Sequence, residues 1–240
     1  MGLALGRLAM ILTLLCGAPA MADVAMRRVV GPDEAALWTG VGSLRVAGRH
    51  SCTAVLISPS EAITAAHCVV DHQSGKRVVP ALYRLVLGQR TDGFAAVRGV
   101  RATAFLPGFV NNQSAIGADT LASDVALLAL DSPVLATEAT PVPLDDWPNP
   151  LSALVDIVGY ERGGSLNATI REACRAIDTA AGVTTLGCDA IVGISGAPVM
   201  LRLGVGGAPR LVASVSSRGE AGAFVVAIAP HLAELRSLLK

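Results

Sequence analysis

Twenty-five glycines and 13 prolines interrupt this 240-residue chain, and between them the apolar residues fall into short runs. Glycine reaches positive φ without a steric penalty, and proline fixes φ while removing a backbone donor, so runs bounded by them end in turns and do not grow into long helices. Residues 44–47, 52–57, 61–65, 82–87, 95–104, 125–130, 153–160, 168–174, 183–186, 198–203, 210–216 and 223–228 each read as a strand, with Ser58-Pro59-Ser60 the clearest intervening turn. Alanine and valine dominate the apolar positions, and aromatic residues make up only 3%. Only residues 231–239, with Leu232, Leu235, Leu238 and Leu239 on one face, read as an amphipathic helix. The chain is therefore expected to be all-β, with antiparallel strands and a short closing helix, and its 52% apolar content suffices for a sizeable core.

Residues 8–22 follow Arg7, carry no charge and end in Ala20-Met21-Ala22. The run is short for a bilayer span and has the small-residue ending of a secretory signal peptide, so cleavage is expected after Ala22. An uncleaved anchor is the alternative, and a lipidated Cys16 is disfavoured by Leu15 before it. Residues 23–28 then form a short N-terminal segment. Export leaves Cys52, Cys68, Cys174 and Cys188, an even number that suits an oxidising compartment. Three pairings are possible, of which Cys52 with Cys68 and Cys174 with Cys188 close short loops within one half of the chain. A zinc site of Cys52, His67, Cys68 and His72 is disfavoured, because adjacent residues in a strand point apart and no Cys-x-x-Cys occurs. Lys plus Arg and Asp plus Glu each total 19, so nothing indicates nucleic acid or a stable membrane association as a partner.

Three segments carry chemistry. Thr64-Ala65-Ala66-His67-Cys68 places an imidazole and a cysteine at the end of an apolar strand. Ser123-Asp124-Val125-Ala126-Leu127-Leu128 places an acid at the start of one, and Gly193-Ile194-Ser195-Gly196-Ala197-Pro198 holds a serine between glycines. A serine hydroxyl is a weak nucleophile near neutral pH, so an imidazole must take its proton and a buried carboxylate must hold that imidazole in one tautomer. Asp119 is the rival acid, but it lies inside residues 107–123, a stretch rich in Gly, Asn and Ser that reads as a loop delivering Asp124. His50 and His72 read as surface residues, and His231 as part of the closing helix.

In the order His, Asp, Ser, these segments resemble the trypsin-like serine proteases of chymotrypsin fold, from Val29 to Lys240. The resemblance implies two antiparallel six-stranded β-barrels, about 29–135 and about 136–228, with a catalytic cleft between them and the helix 231–239 closing the chain. Proline-rich residues 131–150 would connect the halves. His67, Asp124 and Ser195 would be the catalytic triad, and the Gly193 and Ser195 amides the oxyanion hole. No cofactor or metal is implied, and the substrates would be proteins or peptides. Ile194 and Ala197 depart from the family's usual Gly-Asp-Ser-Gly-Gly-Pro, as do small bacterial members similar to glutamyl endopeptidases and HtrA proteases. The Asp normally found at position 194 would pair with an amine freed at Val29. Ile194 cannot, so a site that assembles without that cleavage is expected.

Two functions fit: an active secreted or periplasmic endopeptidase working through an acyl-enzyme, or a catalytically inactive protease-fold binding protein. The intact triad favours the first. For the specificity pocket, Asp189 lies six residues before Ser195, where the family places a carboxylate that binds substrate Arg or Lys, and Ser216 and Gly222 fall where pocket-wall residues are expected. Arg218 occupies a usual glycine position and could instead recruit an acidic side chain. The balance slightly favours cleavage after Arg or Lys over cleavage after Glu, with a purely structural role for Asp189 close behind.

Overall fold

The computed structural model describes residues 26–29, 31–47, 49–71, 73–111, 117–147, 149–163, 166–190, 192–201 and 207–239. The expected signal segment 1–22 and His72 lie outside them. A two-residue strand, β1 (Arg27–Arg28), is followed by a helical turn, α1 (Pro32–Leu37), which has proline at its start and Asp33 and Glu34 in its first turn. Six strands then close a barrel: β2 (Val41–Val46), β3 (Arg49–Ser58), β4 (Glu61–Thr64), β5 (Tyr83–Leu87), β6 (Ala96–Phe105) and β7 (Ala126–Leu130). Their order is β2-β3-β4-β7-β6-β5, with β5 returning to β2 in antiparallel register. A second barrel follows, from β8 (Leu154–Gly159), β9 (Thr169–Ala180), β10 (Val183–Leu186), β11 (Pro198–Leu201), β12 (Arg210–Gly219) and β13 (Gly222–Ala227). It runs β9-β10-β13-β12-β11-β8 and closes through β8 against β9, while β1 adds to the outside of β9. Helix α3 (Leu232–Leu238) ends the chain after a tight turn at Ala229–His231.

The side-chain period of two sorts the apolar residues into three layers. In β7, Ala126, Leu128 and Leu130 fill the first barrel with Leu44, Leu56 and Leu85, whereas Val125 and Leu127 face outward to meet Val158, Ile170, Met200 and Leu235 between the barrels. Both faces of this strand are buried, which is why its sequence is apolar throughout instead of alternating. The second barrel holds its own core of Ile157, Leu186, Val199, Val215 and Val225.

The two-barrel architecture and the closing helix agree with the sequence reading, but local bounds differ, β3 starting at Arg49 and β12 running on to Gly219 among them. Strand β2 starts at Val41, before the expected residue 44, and β9 runs on to Ala180, past Cys174. The tail of β9 beyond Ala176 is exposed on both faces and mixes Ile177 and Ala180 with Asp178 and Thr179, so burial left no alternation there to detect. Residues 118–122 form a short helical turn, α2 (Ala118–Ala122), inside the expected loop.

Candidate active site

Strand β4 leads through buried Ala65 into a single 3-10 turn, Ala66–Cys68, that carries His67 at the mouth of the first barrel. The disulfide Cys52–Cys68 ties this turn to β3, and Cys174–Cys188 does the corresponding work in the second barrel. Both pairings are those expected from loop length. They also remove the zinc reading, because the Cys52 and Cys68 sulfurs near His67 are bonded to each other.

Asp124 sits between α2 and β7 and is only 4% exposed. Its Oδ1 accepts the His67 backbone N–H at 2.9 Å, and its Oδ2 accepts from His67 Nδ1 at 2.8 Å and from the Ser216 hydroxyl at 2.5 Å. An ionised carboxylate only accepts, so the Nδ1 contact assigns the proton to that nitrogen and leaves Nε2 as the basic one. Burial disfavours the charged imidazole, but the Asp124 charge and hydrogen bond outweigh it and raise the His67 pKa above its ordinary 6.5; the nearby Arg162 charge pulls the other way. Asp119 takes no part: it belongs to the exposed turn of α2, where its carbonyl accepts the Ser123 N–H.

The serine loop is shaped by where its carbonyls go. The Val192 carbonyl accepts from Arg162 N–H at 2.9 Å, the Ile194 carbonyl from Ala197 N–H at 2.8 Å and the Ser195 carbonyl from Thr53 N–H at 2.8 Å. In a trans peptide the N–H points opposite to the C=O. Anchoring the carbonyls of residues 192 and 194 therefore turns the amides of Gly193 and Ser195 the other way, and among the described residues neither amide has an acceptor. Gly193 has φ +101° and Gly196 φ +76°, the left-handed region that favours glycine. At Gly196 a β-carbon would also meet Thr64 Oγ1 at 2.2 Å and the Thr53 carbonyl oxygen at 2.4 Å. Ile194 lies beneath the loop, 2% exposed in the second barrel's core, so the departure at this position is absorbed as packing. Val29 is likewise buried, and its N–H is a chain amide bonded to the Ala168 carbonyl at 2.9 Å. Arg27, two residues before it, pairs with Glu34 and Glu172.

His67, Asp124, Gly193 and Ser195 line one open cleft of about 590 Å³. Arg162, Ser216 and Arg218 line it too. Asp189 is exposed and does not line the cleft, although its neighbour Ala190 does, so the burial expected of a pocket floor is not seen at this position. Gly222 also stands away from the wall; a β-carbon there would meet the Leu186 carbonyl oxygen at 1.9 Å, so this glycine serves the close approach of β13 to β10. Ser216 holds Asp124 as well as lining the cleft, a role that nothing local in its strand announces. Arg162 sits in a turn without a motif, so nothing in its neighbouring residues marks it as part of the cleft.

Two β-barrels with an imidazole–carboxylate pair on one and a glycine-flanked serine on the other define the chymotrypsin fold class. Residues 30–222 match the family model described as Trypsin, and the chain belongs to the trypsin family of serine endopeptidases. Among solved structures it is similar to a Glu endopeptidase in complex with MPD, with a TM-score of 0.71 and 16% identity over 90% of this chain and 97% of that one.

Proposed function

We propose that this protein is an exported serine endopeptidase that hydrolyses peptide bonds through an acyl-enzyme. The observation that carries the proposal is the two-point hold of Asp124 on His67, which engages Nδ1 and keeps Nε2 away from the carboxylate, on an imidazole that lines the same cleft as Ser195. In this reading Nε2 takes the Ser195 proton as Oγ attacks the scissile carbonyl. The amides of Gly193 and Ser195 receive the oxyanion, and protonated His67 then delivers its proton to the leaving amine. Water repeats the sequence to release the acyl group. Burial of Ile194 favours turnover over an inactive binding role, because the side chain leaves the amides of the loop free. The two disulfides favour an oxidising compartment and so the secreted or periplasmic location.

For specificity, the cleft charges favour an acidic substrate side chain over a basic one. Arg162 and Arg218 contribute cations to the lining. Its carboxylates are committed, Asp124 to His67 and Ser216, and Asp71 to the Ser74 N–H and hydroxyl at 2.8 and 2.6 Å. Recruitment of a carboxylate by Arg218 is a charge-assisted contact. Labelling with a fluorophosphonate, which traps an activated serine, should modify Ser195 in the wild type and leave Ser195→Ala unlabelled. A peptide library varying the residue before the scissile bond should then return Glu or Asp. Label on another residue in Ser195→Ala overturns the mechanism, and a profile led by Arg or Lys overturns the specificity.

A further inference from the structure

We infer that Thr53 of the first barrel is a positioning residue for the oxyanion loop of the second, acting through its side-chain hydroxyl; this rests on the peptidase reading above. Thr53 follows Cys52 in β3, is fully buried and touches the loop at two points. Its backbone N–H donates to the Ser195 carbonyl at 2.8 Å, and its hydroxyl donates to the Gly193 carbonyl at 3.4 Å. The hydroxyl oxygen is itself held by the Tyr160 N–H at 2.9 Å. A buried hydroxyl that accepts one bond must still place its proton, and the Gly193 carbonyl is its acceptor among the described residues. Room for this arrangement comes from Gly159, where a β-carbon would come within 3.1 Å of Thr53 Oγ1 and 2.8 Å of Ile194.

The consequence concerns a glycine with two soft dihedrals. Gly193 carries an amide that must face the oxyanion, yet with φ +101° and no β-carbon it has little intrinsic preference for that orientation. Arg162 N–H fixes the peptide before it, through the Val192 carbonyl. The Thr53 hydroxyl fixes the peptide after it. With both flanking carbonyls tied, the amide is aimed before substrate arrives, which is how preorganised donors lower a barrier without reorganising. The hydroxyl touches neither substrate nor nucleophile. Its loss should therefore appear in the chemical step and in affinity for tetrahedral mimics, and much less in ground-state binding.

The test compares wild type, Thr53→Val, Thr53→Ala and Thr53→Ser as full-length, disulfide-bonded protein. Valine keeps the branched shape and removes the hydroxyl. The expected result for Thr53→Val is about a tenfold fall in kcat with KM within about twofold, and a parallel loss of affinity for a peptide boronate that forms a tetrahedral adduct on serine. Thr53→Ser should restore most of both. If the valine variant does not fold, the alanine variant should give the same kcat loss. Equal kcat in the folded variants and wild type overturns the inference, as does a loss carried by KM alone or one that serine fails to restore. A wild type that never reacts with fluorophosphonate overturns the peptidase reading itself, whereas a reactive wild type beside an unimpaired Thr53→Val overturns this inference alone.

Discussion

The two barrels contribute to the site in different currencies. The first presents side chains: His67 and Asp124 stand at the ends of regular strands, locked by a disulfide and by hydrogen bonds to a carboxylate that is 4% exposed. The second presents a serine on a loop shaped through its backbone: Ser195 is flanked by positive-φ glycines, and the orientation of its loop is decided by carbonyls tied to Arg162, Ala197 and Thr53. Side-chain chemistry tolerates a rigid, apolar surround, as the alanines before His67 and the apolar run after Asp124 demonstrate. Backbone chemistry needs partners from elsewhere in the fold, and one of them, Thr53, belongs to the opposite barrel.

The largest effects should come from removing the groups themselves. Ser195→Ala and His67→Ala should each lower kcat/KM on the order of a millionfold, read on a peptide substrate with active-site titration of the wild type. Asp124→Asn keeps the geometry but no longer offers two acceptor oxygens, and should cost about ten-thousandfold in kcat with an unchanged fold by circular dichroism. If Asp124→Asn were nearly silent, the side-chain half of the comparison would fail.

The disulfides separate the barrels more finely. Replacing either pair by serines should cost about 3 kcal/mol of stability in denaturant unfolding. Removing Cys52–Cys68 should lower kcat as well, because Cys68 Sγ lies 3.7 Å from His67 Nε2, whereas removing Cys174–Cys188 should leave kcat within about threefold. Equal loss of activity in both would show that the loop of the second barrel depends on its disulfide as much as His67 depends on its own.

The smallest effect is a pH shift. Catalysis needs neutral His67, so kcat/KM should fall as pH drops through a pKa that Asp124 holds above 6.5. Asp124→Asn should move that acid limb to lower pH. Arg162→Ala, which removes a positive charge of the second barrel, should move it to higher pH. Shifts in the same direction would contradict the opposed influence of the two barrels on one imidazole.

What could be read from the chain follows the same division. The all-β class and the closing helix were legible from turn residues and short-range periodicity, both disulfide pairs from the short loops they close, and the His67 and Asp124 segments from their resemblance to the trypsin-like family. The specificity pocket was legible only in part, since Ser216 and Arg218 line the cleft and the other two residues named for it do not. Asp189 has the spacing of a pocket floor yet is exposed, in irregular backbone that its neighbours do not specify, and Gly222 serves the approach of β13 to the Leu186 carbonyl, a partner 36 positions away. The Ser216 bond to Asp124 joins residues 92 positions apart and crosses from one barrel to the other. Sequence alone determined which reactive groups this protein carries and the strands that bear them, because local propensity and burial pattern are written in neighbouring residues. Which backbone amides face the cleft, and which serine, threonine and arginine support the triad, only the tertiary structure decided, because those bonds run between segments brought together solely by the packing of two barrels.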